Sequence, residues 1–172
     1  VAGVIDELTV AQHAPEACGC VQAGEHLGVV HQVGDVPVGL GTRDLGVRKG
    51  GVAVTCVLTE GGAKFVPPLA LAALSENTVH TSLWDLKNEV EMGHIQLSRD
   101  ADLVVICPAT ANMLAKMAAG IADDLATTLL LATDKPVLAV PAMNVKMWQH
   151  AATVQNVEGL RAAGVEIMDP DE

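Results

Sequence analysis

Residues 102–120, DLVVICPATANMLAKMAAG, contain a strand, a loop and a helix in direct succession. Asp102–Cys107 is short, apolar and rich in β-branched residues, which predicts a buried strand closed by Pro108. Asn112–Gly120 is rich in Ala, Leu and Met, and its last residue predicts a helix that ends at a glycine. A strand that leads at once into a helix is typical of sheets whose strands are joined by helical crossovers.

The same alternation extends in both directions from about residue 51. Further strands are predicted at Val52–Leu58, Pro136–Val140 and Val165–Met168, further helices at Phe65–Leu74, Glu89–Arg99, Asp123–Thr133 and Lys146–Ala163, and a turn at Thr59–Gly62. This order predicts an α/β protein with a doubly wound parallel sheet. Such folds bind ligands at the loops that leave the carboxyl ends of the strands.

Residues 1–50 show no comparable period, and Val4–Leu8 and Leu27–Val33 are weak strand candidates. We therefore predict two parts, an irregular segment over 1–50 and a folded domain over 51–172. The segment contains several possible metal ligands, but their spacings match no zinc pattern, so no metal site is predicted: His13, Cys18, Cys20, His26 and His31.

Composition limits the partners and the location. Half of the 172 residues are hydrophobic, and the formal net charge of −11 argues against nucleic acid or an anionic membrane as a partner. The longest apolar run, near Leu125–Ala132, is too short to cross a bilayer, and the start shows no secretion signal. Cys56 and Cys107 lie in apolar strands, as reduced thiols do, which predicts a cytoplasmic protein.

Three clusters at the ends of predicted elements carry candidate site residues: Met92–Ile95 with His94, Pro108–Met113 with Thr110 and Asn112, and Pro141–Trp148 with Asn144. Each has two interpretations. The hydroxyl and amide at 110 and 112 either cap a helix or bind the heteroatoms of a ligand, and capping is favoured when the cluster is taken alone. The amide at 144 fits an ordinary turn, and the imidazole at 94 fits a packed or surface side chain as well as a catalytic base.

The clusters occur together, in order, with VTCVLTEGGAKF at 54–65, MGHI at 92–95, CPATANMLAKMAAGIADDL at 107–125, PVLAVPAMNVKMW at 136–148 and VQNVEGLRAAGVEI at 154–167. In this respect the chain resembles the phosphopantothenoylcysteine decarboxylase family, whose domain is fused in bacteria to a phosphopantothenate–cysteine ligase. The resemblance implies a flavodoxin-like or Rossmann-like three-layer flavoprotein fold. It also implies FMN-dependent decarboxylation of 4′-phosphopantothenoylcysteine to 4′-phosphopantetheine, a precursor of coenzyme A.

The resemblance also implies a role for individual residues. His94 corresponds to the catalytic base; Thr59, Thr110, Ala111, Asn112 and Met113 correspond to flavin contacts; Ala142, Met143 and Asn144 correspond to the segment that holds the substrate carboxylate. In this family the flavin lies between the subunits of a trimer, and trimers often assemble into dodecamers. A homotrimer or dodecamer that acts on a small molecule is therefore expected.

The chain departs from the family at both ends. Residues 1–50 lack the strand and glycine-containing loop that binds the FMN phosphate, which suggests a shifted reading frame upstream, and the central strand is lost unless part of this segment replaces it. The sequence stops at Glu172, before the family's proton-donating cysteine and the ligase domain, so the last step of the reaction is expected to be impaired. The alternatives are a peptidyl-cysteine decarboxylase, a flavin prenyltransferase, or a non-catalytic flavin-binding or regulatory subunit.

Overall fold

The described strands form one sheet in the order β3-β2-β1-β4-β5-β6. A computed structural model of the chain describes residues 26–31, 53–82 and 93–169, with the backbone alone at 26–31, 93 and 94. The strands are β1 His26–His31, β2 Ala53–Leu58, β3 Val79–His80, β4 Leu103–Ala109, β5 Val137–Pro141 and β6 Glu166–Ile167. The helices are α1 Glu60–Ala63, α2 Pro68–Ser75, α3 Gly93–Asp100, α4 Ala111–Ala119, α5 Leu125–Ala132, α6 Val145–Trp148 and α7 Ala151–Ala162.

The predicted α/β class is confirmed, but the sheet is not wholly parallel. β2 is parallel to β3, β4 to β5, and β5 to β6, whereas β1 is antiparallel to both β2 and β4. The parallel prediction came from helices that alternate with strands after residue 51, and β1 precedes that part of the sequence. An antiparallel neighbour does not require a helical crossover, so the alternation after residue 51 carries no information about the direction of β1.

β1 fills the central position that the sequence left open. His26 pairs with Leu58 and His31 with Ala53 on one side, and Leu27 pairs with Ile106 on the other. The predicted strand Leu27–Val33 thus corresponds in part to β1, while the candidate at Val4–Leu8 lies outside the described residues. With β1 in place, neither β2 nor β4 is left as an open sheet edge.

The core lies on both faces of the sheet, because alternate residues of a strand point to opposite faces. Val104 and Ile106 of β4 are fully buried in a cluster with residues of α4, α5 and α7, including Leu129. Leu103 and Val105 pack on the other face, where α2 contributes Leu71. Helices therefore cover both faces, which confirms the three-layer arrangement.

Several element boundaries differ from the sequence predictions. β4 continues through Pro108 to Ala109, after a shift in its register with β5, so the proline does not close the strand. The predicted helix Lys146–Ala163 is divided into α6 and α7, because the His150 imidazole accepts a hydrogen bond from Ala152 N and begins a new helix. The turn at 59–62 contains the short helix α1, and β3 was not predicted because two residues show no period.

The other boundaries agree more closely. The helix predicted at Phe65–Leu74 is α2, with Pro67 as its N-cap and Pro68 as its first residue. α4 ends at Gly120, whose φ of 67° is in the left-handed region that glycine adopts at little cost. Part of the helix predicted at Glu89–Arg99 is α3, and its residues 89–92 lie outside the described part. In the part of the chain that is described, no helix has the length and apolar character needed to cross a bilayer.

Candidate functional site

Three polar side chains follow the carboxyl ends of β2, β4 and β5, and each begins the next helix. Thr59 Oγ1 accepts a hydrogen bond from Gly62 N at 3.0 Å, and Thr110 Oγ1 accepts one from Met113 N at 3.2 Å. Asn144 Oδ1 accepts a hydrogen bond from Met147 N at 2.9 Å. All three residues are therefore N-caps, and the capping interpretation of Thr110 is confirmed. The caps fix the three loops at one edge of the sheet.

A cleft of about 550 Å³ opens between α1 and α4 at this edge. It is lined by Thr59, Glu60, Gly61, Phe65, Thr110, Asn112, Lys116, Asp123 and Asp124. Three residues predicted for the site thus line the same cleft. Thr59 follows β2, whereas Thr110 and Asn112 follow β4, on the other side of β1. This is the edge at which α/β sheets bind their ligands.

Asn112 differs from the capping residues around it. It is the second residue of α4, its side chain is exposed, and it lines the cleft while Thr110 makes the cap. The capping interpretation therefore applies to Thr110, whereas Asn112 is the residue of this cluster that remains a candidate for ligand binding. The Asn112 amide offers two donors and an acceptor to a ligand in the cleft.

An ion-pair network on the α4 wall of the cleft was not predicted from the sequence. Lys116 Nζ lies 2.8 Å from Asp123 Oδ1 and 3.3 Å from Asp124 Oδ2. The hydrogen bond from Lys116 to Asp123 raises the pKa of the lysine and lowers the pKa of that carboxyl. Asp124 also caps α5, where its Oδ1 accepts from Thr127 N at 2.8 Å.

The network depends on the turn that ends α4. Gly120 turns the chain back, and Ile121 N donates to Lys116 O at 2.9 Å, which brings residues 121–124 beside the helix. The helix predicted at Asp123–Thr133 includes both carboxylates, whereas α5 begins at Leu125 and Asp124 is its N-cap. Their pairing with Lys116 spans seven and eight residues, a separation that no helical period indicates, so the turn at Gly120 was the available signal.

The remaining residues of the predicted flavin loop face elsewhere. Met113 is fully buried in the core shared by α4, α5 and α7, and its N–H belongs to the Thr110 cap. Ala111 is half-buried at the first position of α4. Neither lines the cleft, so their predicted contacts with a flavin remain predictions.

The segment 142–144 lies beside the cleft rather than in its walls. Ala142 N donates to Ala109 O at 3.1 Å, which ties the segment to the residue before Thr110. Met143 packs against the core of α4, α5 and α7, and Asn144 is exposed.

His94 lies in the first turn of α3, and its side chain is outside the described part. α3 packs against α5 and ends shortly before β4 begins. Its first turn therefore lies toward the carboxyl end of β4, the edge that carries the cleft. Among the side chains that are described, no group of three or more His, Cys, Asp or Glu residues is placed to hold a metal ion.

The fold and the cleft define a class: α/β proteins that bind a ligand where capped loops meet at the carboxyl edge of the sheet. Comparison of the sequence with known families narrows this class. The chain belongs to the Flavoprotein family, whose model matches residues 43–172. β1 thus lies before the matched region, although it forms the centre of the sheet.

Sequence identity to individual proteins supports the assignment to this family. The chain is 44% identical over 124 residues to the coenzyme A biosynthesis bifunctional protein CoaBC of Vibrio vulnificus strain YJ016, and 46% identical over 125 residues to that of Escherichia coli K12. The matches cover 72% and 73% of this chain but 31% of each relative, so the chain spans about a third of the length of these curated relatives.

Solved structures show the same relationship. The FMN-dependent cysteine decarboxylase SpaF superposes with a TM-score of 0.63 at 39% identity, over 67% of this chain and 66% of that one. A PPC decarboxylase C175S mutant complexed with pantothenoylaminoethenethiol gives 0.65 at 26% identity, over 95% of this chain and 78% of that one. The resemblance to phosphopantothenoylcysteine decarboxylases, stated from the sequence motifs, is confirmed.

Proposed function

We propose that this chain binds FMN and forms the decarboxylase part of an enzyme of coenzyme A biosynthesis, which converts 4′-phosphopantothenoylcysteine to 4′-phosphopantetheine and carbon dioxide. The observation that carries the proposal is the cleft, which brings Thr59, Thr110 and Asn112 together from two separate motifs. The CoaBC relatives and the complexed PPC decarboxylase support the choice of substrate.

The cleft residues fit a planar heterocycle. An isoalloxazine ring has an imide edge with one N–H donor between two carbonyl acceptors, and the Asn112 amide is complementary to such an edge. Phe65 lines the same cleft with 57% of its surface exposed, so an aromatic face is available to a ring. The flavin prediction is thus supported by chemistry as well as by sequence similarity.

Three residues of the chain have a defined task in this proposal. When bound, FMN supplies the reversible uptake of two electrons. Asn112 orients the ring, and the His94 imidazole accepts the proton released as the substrate thiol is oxidised. Asn144 uses Oδ1 in the cap of α6, which leaves its Nδ2 donors for the carboxylate that departs as carbon dioxide.

The proposed assembly is a homotrimer or dodecamer in the cytoplasm. Large apolar side chains are exposed near the loops of the site: Phe65 and Leu69 around α2, and Val145 and Met147 on α6. Apolar surface of this kind is typical of contacts between subunits. Sedimentation of the purified chain tests the assembly directly, and a monomer at micromolar concentration would contradict it.

Two measurements test the function. The purified chain is expected to show the visible absorption bands of bound flavin, retained through gel filtration. With added 4′-phosphopantothenoylcysteine it is expected to release carbon dioxide, and His94→Asn is expected to abolish this release while the bound flavin remains. A flavin-loaded chain that releases no carbon dioxide would overturn the decarboxylase assignment and leave the flavin site standing.

The structural similarity to the peptidyl-cysteine decarboxylase EpiD, at 25% identity and a TM-score of 0.58, favours a second candidate, decarboxylation of a cysteine that belongs to a peptide. The PAMNVKMW motif at 141–148 favours the pantothenate substrate instead. A competition assay separates the two, since the preferred substrate has the higher kcat/KM. We expect 4′-phosphopantothenoylcysteine to be preferred over a peptide with a C-terminal cysteine.

A further inference from the structure

The charge of the cleft is unusual for a site that binds a phosphorylated cofactor. Its lining contains three carboxylates, on Glu60, Asp123 and Asp124, and a single ammonium group on Lys116, for a formal charge of −2. The ammonium group already contacts two of these carboxylates, at 2.8 and 3.3 Å. Lys64 and Lys146 are exposed outside the lining. A phosphate dianion in this cleft would therefore meet net repulsion.

The centre of the sheet adds no compensating positive group among the described residues. At the ligand-binding edge, β1 begins at His26, which pairs with Leu58 directly before Thr59. Because β1 is antiparallel, the chain enters the sheet here instead of leaving it toward a helix whose N-terminus would attract an anion.

One element of the lining does favour an anion, namely the N-terminus of α4. Its macrodipole amounts to about half a positive charge, and the Thr110 hydroxyl already accepts from Met113 N. Half a charge does not balance a formal charge of −2. The hydroxyl, amide and aromatic groups of the lining, by contrast, suit an uncharged ring.

We infer that the cleft holds a flavin by its ring, and that its acidic lining cancels any contribution of the 5′-phosphate, so that riboflavin binds at least as tightly as FMN. This rests on the proposed function, because it concerns the same flavin site. The cleft is thereby assigned a class of ligand, namely flavins that need no phosphate group in order to bind.

The test is a pair of fluorescence titrations of the flavin-free full-length chain, one with FMN and one with riboflavin, at low and at high salt. We expect the two Kd values at low salt to agree within about twofold, or riboflavin to bind more tightly. Added salt should strengthen FMN binding and leave riboflavin unchanged, because salt screens repulsion between charges. FMN binding more than about twofold tighter than riboflavin would overturn the inference and leave the proposed function intact. If neither flavin binds, the proposed function is overturned together with the inference.

A substitution tests the electrostatic cause. Asp123→Asn removes one carboxylate from the lining and releases Lys116 in part, so FMN should gain about three- to fivefold in affinity relative to riboflavin. Asp169→Asn is the matched control, since Asp169 also forms an exposed ion pair, 2.7 Å from Arg161, but lies beyond β6 and outside the cleft lining. An unchanged ratio of the two affinities in Asp123→Asn, or an equal change in the control, would overturn the inference.

Discussion

Replacing Asn144 by Asp separates its structural task from its proposed catalytic one. The cap of α6 requires an oxygen at Oδ1, which accepts from Met147 N at 2.9 Å. Aspartate offers the same oxygen, and Asn and Asp are about equally good N-caps, so the free energy of unfolding should change by less than about 0.5 kcal/mol. Asn144→Ala removes the oxygen and should cost about 1 kcal/mol.

The expected effect on the reaction is much larger. In the proposed complex, Asp replaces the amide donors by a negative charge that faces the substrate carboxylate. At a separation of about 4 Å, two unit charges repel by about 1 kcal/mol in water and about 4 kcal/mol near a protein surface. Since Asn144 is exposed, we take about 1–2 kcal/mol for repulsion and add about 1.5 kcal/mol for the lost hydrogen bond to a charged group. A total near 3 kcal/mol lowers kcat/KM about 100-fold.

The product provides the internal control, because 4′-phosphopantetheine lacks the carboxylate. We expect Asn144→Asp to leave the Kd of the product, measured by calorimetry, within about twofold of the original. Carbon dioxide release gives kcat/KM, and urea unfolding gives the stability of each variant. A variant that keeps a third or more of the original kcat/KM, or that loses affinity for substrate and product alike, would refute the assignment of the carboxylate to Asn144.

Three further predictions concern stability, and urea unfolding measures each of them. Leu129→Ala in α5 should lower the free energy of unfolding by about 2–5 kcal/mol because the side chain is fully buried. Leu131→Ala in the same helix is the control and should change it by less than about 0.5 kcal/mol, since Leu131 is 62% exposed. Equal losses in the two variants would contradict the packing. Ser98 is buried with no hydrogen-bond partner for Oγ among the described residues, so Ser98→Ala should leave the free energy of unfolding unchanged or raise it. Ser75→Ala is the control, because it loses a hydrogen bond of 2.8 Å to Leu71 O and should lower the free energy of unfolding by about 1 kcal/mol. A marked loss in Ser98→Ala would show that Oγ has a partner after all. Burial lowers the pKa of His80 below its usual value near 6.5, so the unfolded chain binds the proton more readily than the folded chain. The free energy of unfolding should therefore fall as the pH decreases below about 6.5. His80→Gln should reduce this dependence on pH, and an unchanged dependence would refute the role of His80.

Much of the fold could be predicted because its signals are local. The apolar runs of β2, β4 and β5 have no competing period, and Gly120 fixes the end of α4 through its positive φ. The direction of β1 could not be predicted in this way. The sequence HLGVVH is compatible with either orientation, and its antiparallel placement is set by pairing with Leu58 and Ile106, which lie far along the chain.

The candidate site, too, was predictable from the sequence where its signals are local and not where they depend on distant residues. Thr59, Thr110 and Asn112 were identified from motifs, and the structure brings them to one cleft. The capping roles of Thr59 and Asn144 were not predicted, because a turn and a short helix look alike over four residues. The ion pairs of Lys116 were missed because they depend on a turn that joins residues seven and eight positions apart.

The capped loops also explain how a site can persist although β1 lies outside the family's matched region. Each cap is formed within a few residues, as between Thr110 and Met113, so it requires no contact with β1. The core beneath α4 is supplied by β4, β5, α5 and α7, through residues such as Ile106 and Leu129. β1 contributes the backbone pairing that holds β2 and β4 on either side of it, and thereby the spacing of the Thr59 and Thr110 loops. A strand that preserves this spacing, whatever its direction, preserves the walls of the cleft, but its direction decides whether a helix N-terminus follows at the ligand-binding edge.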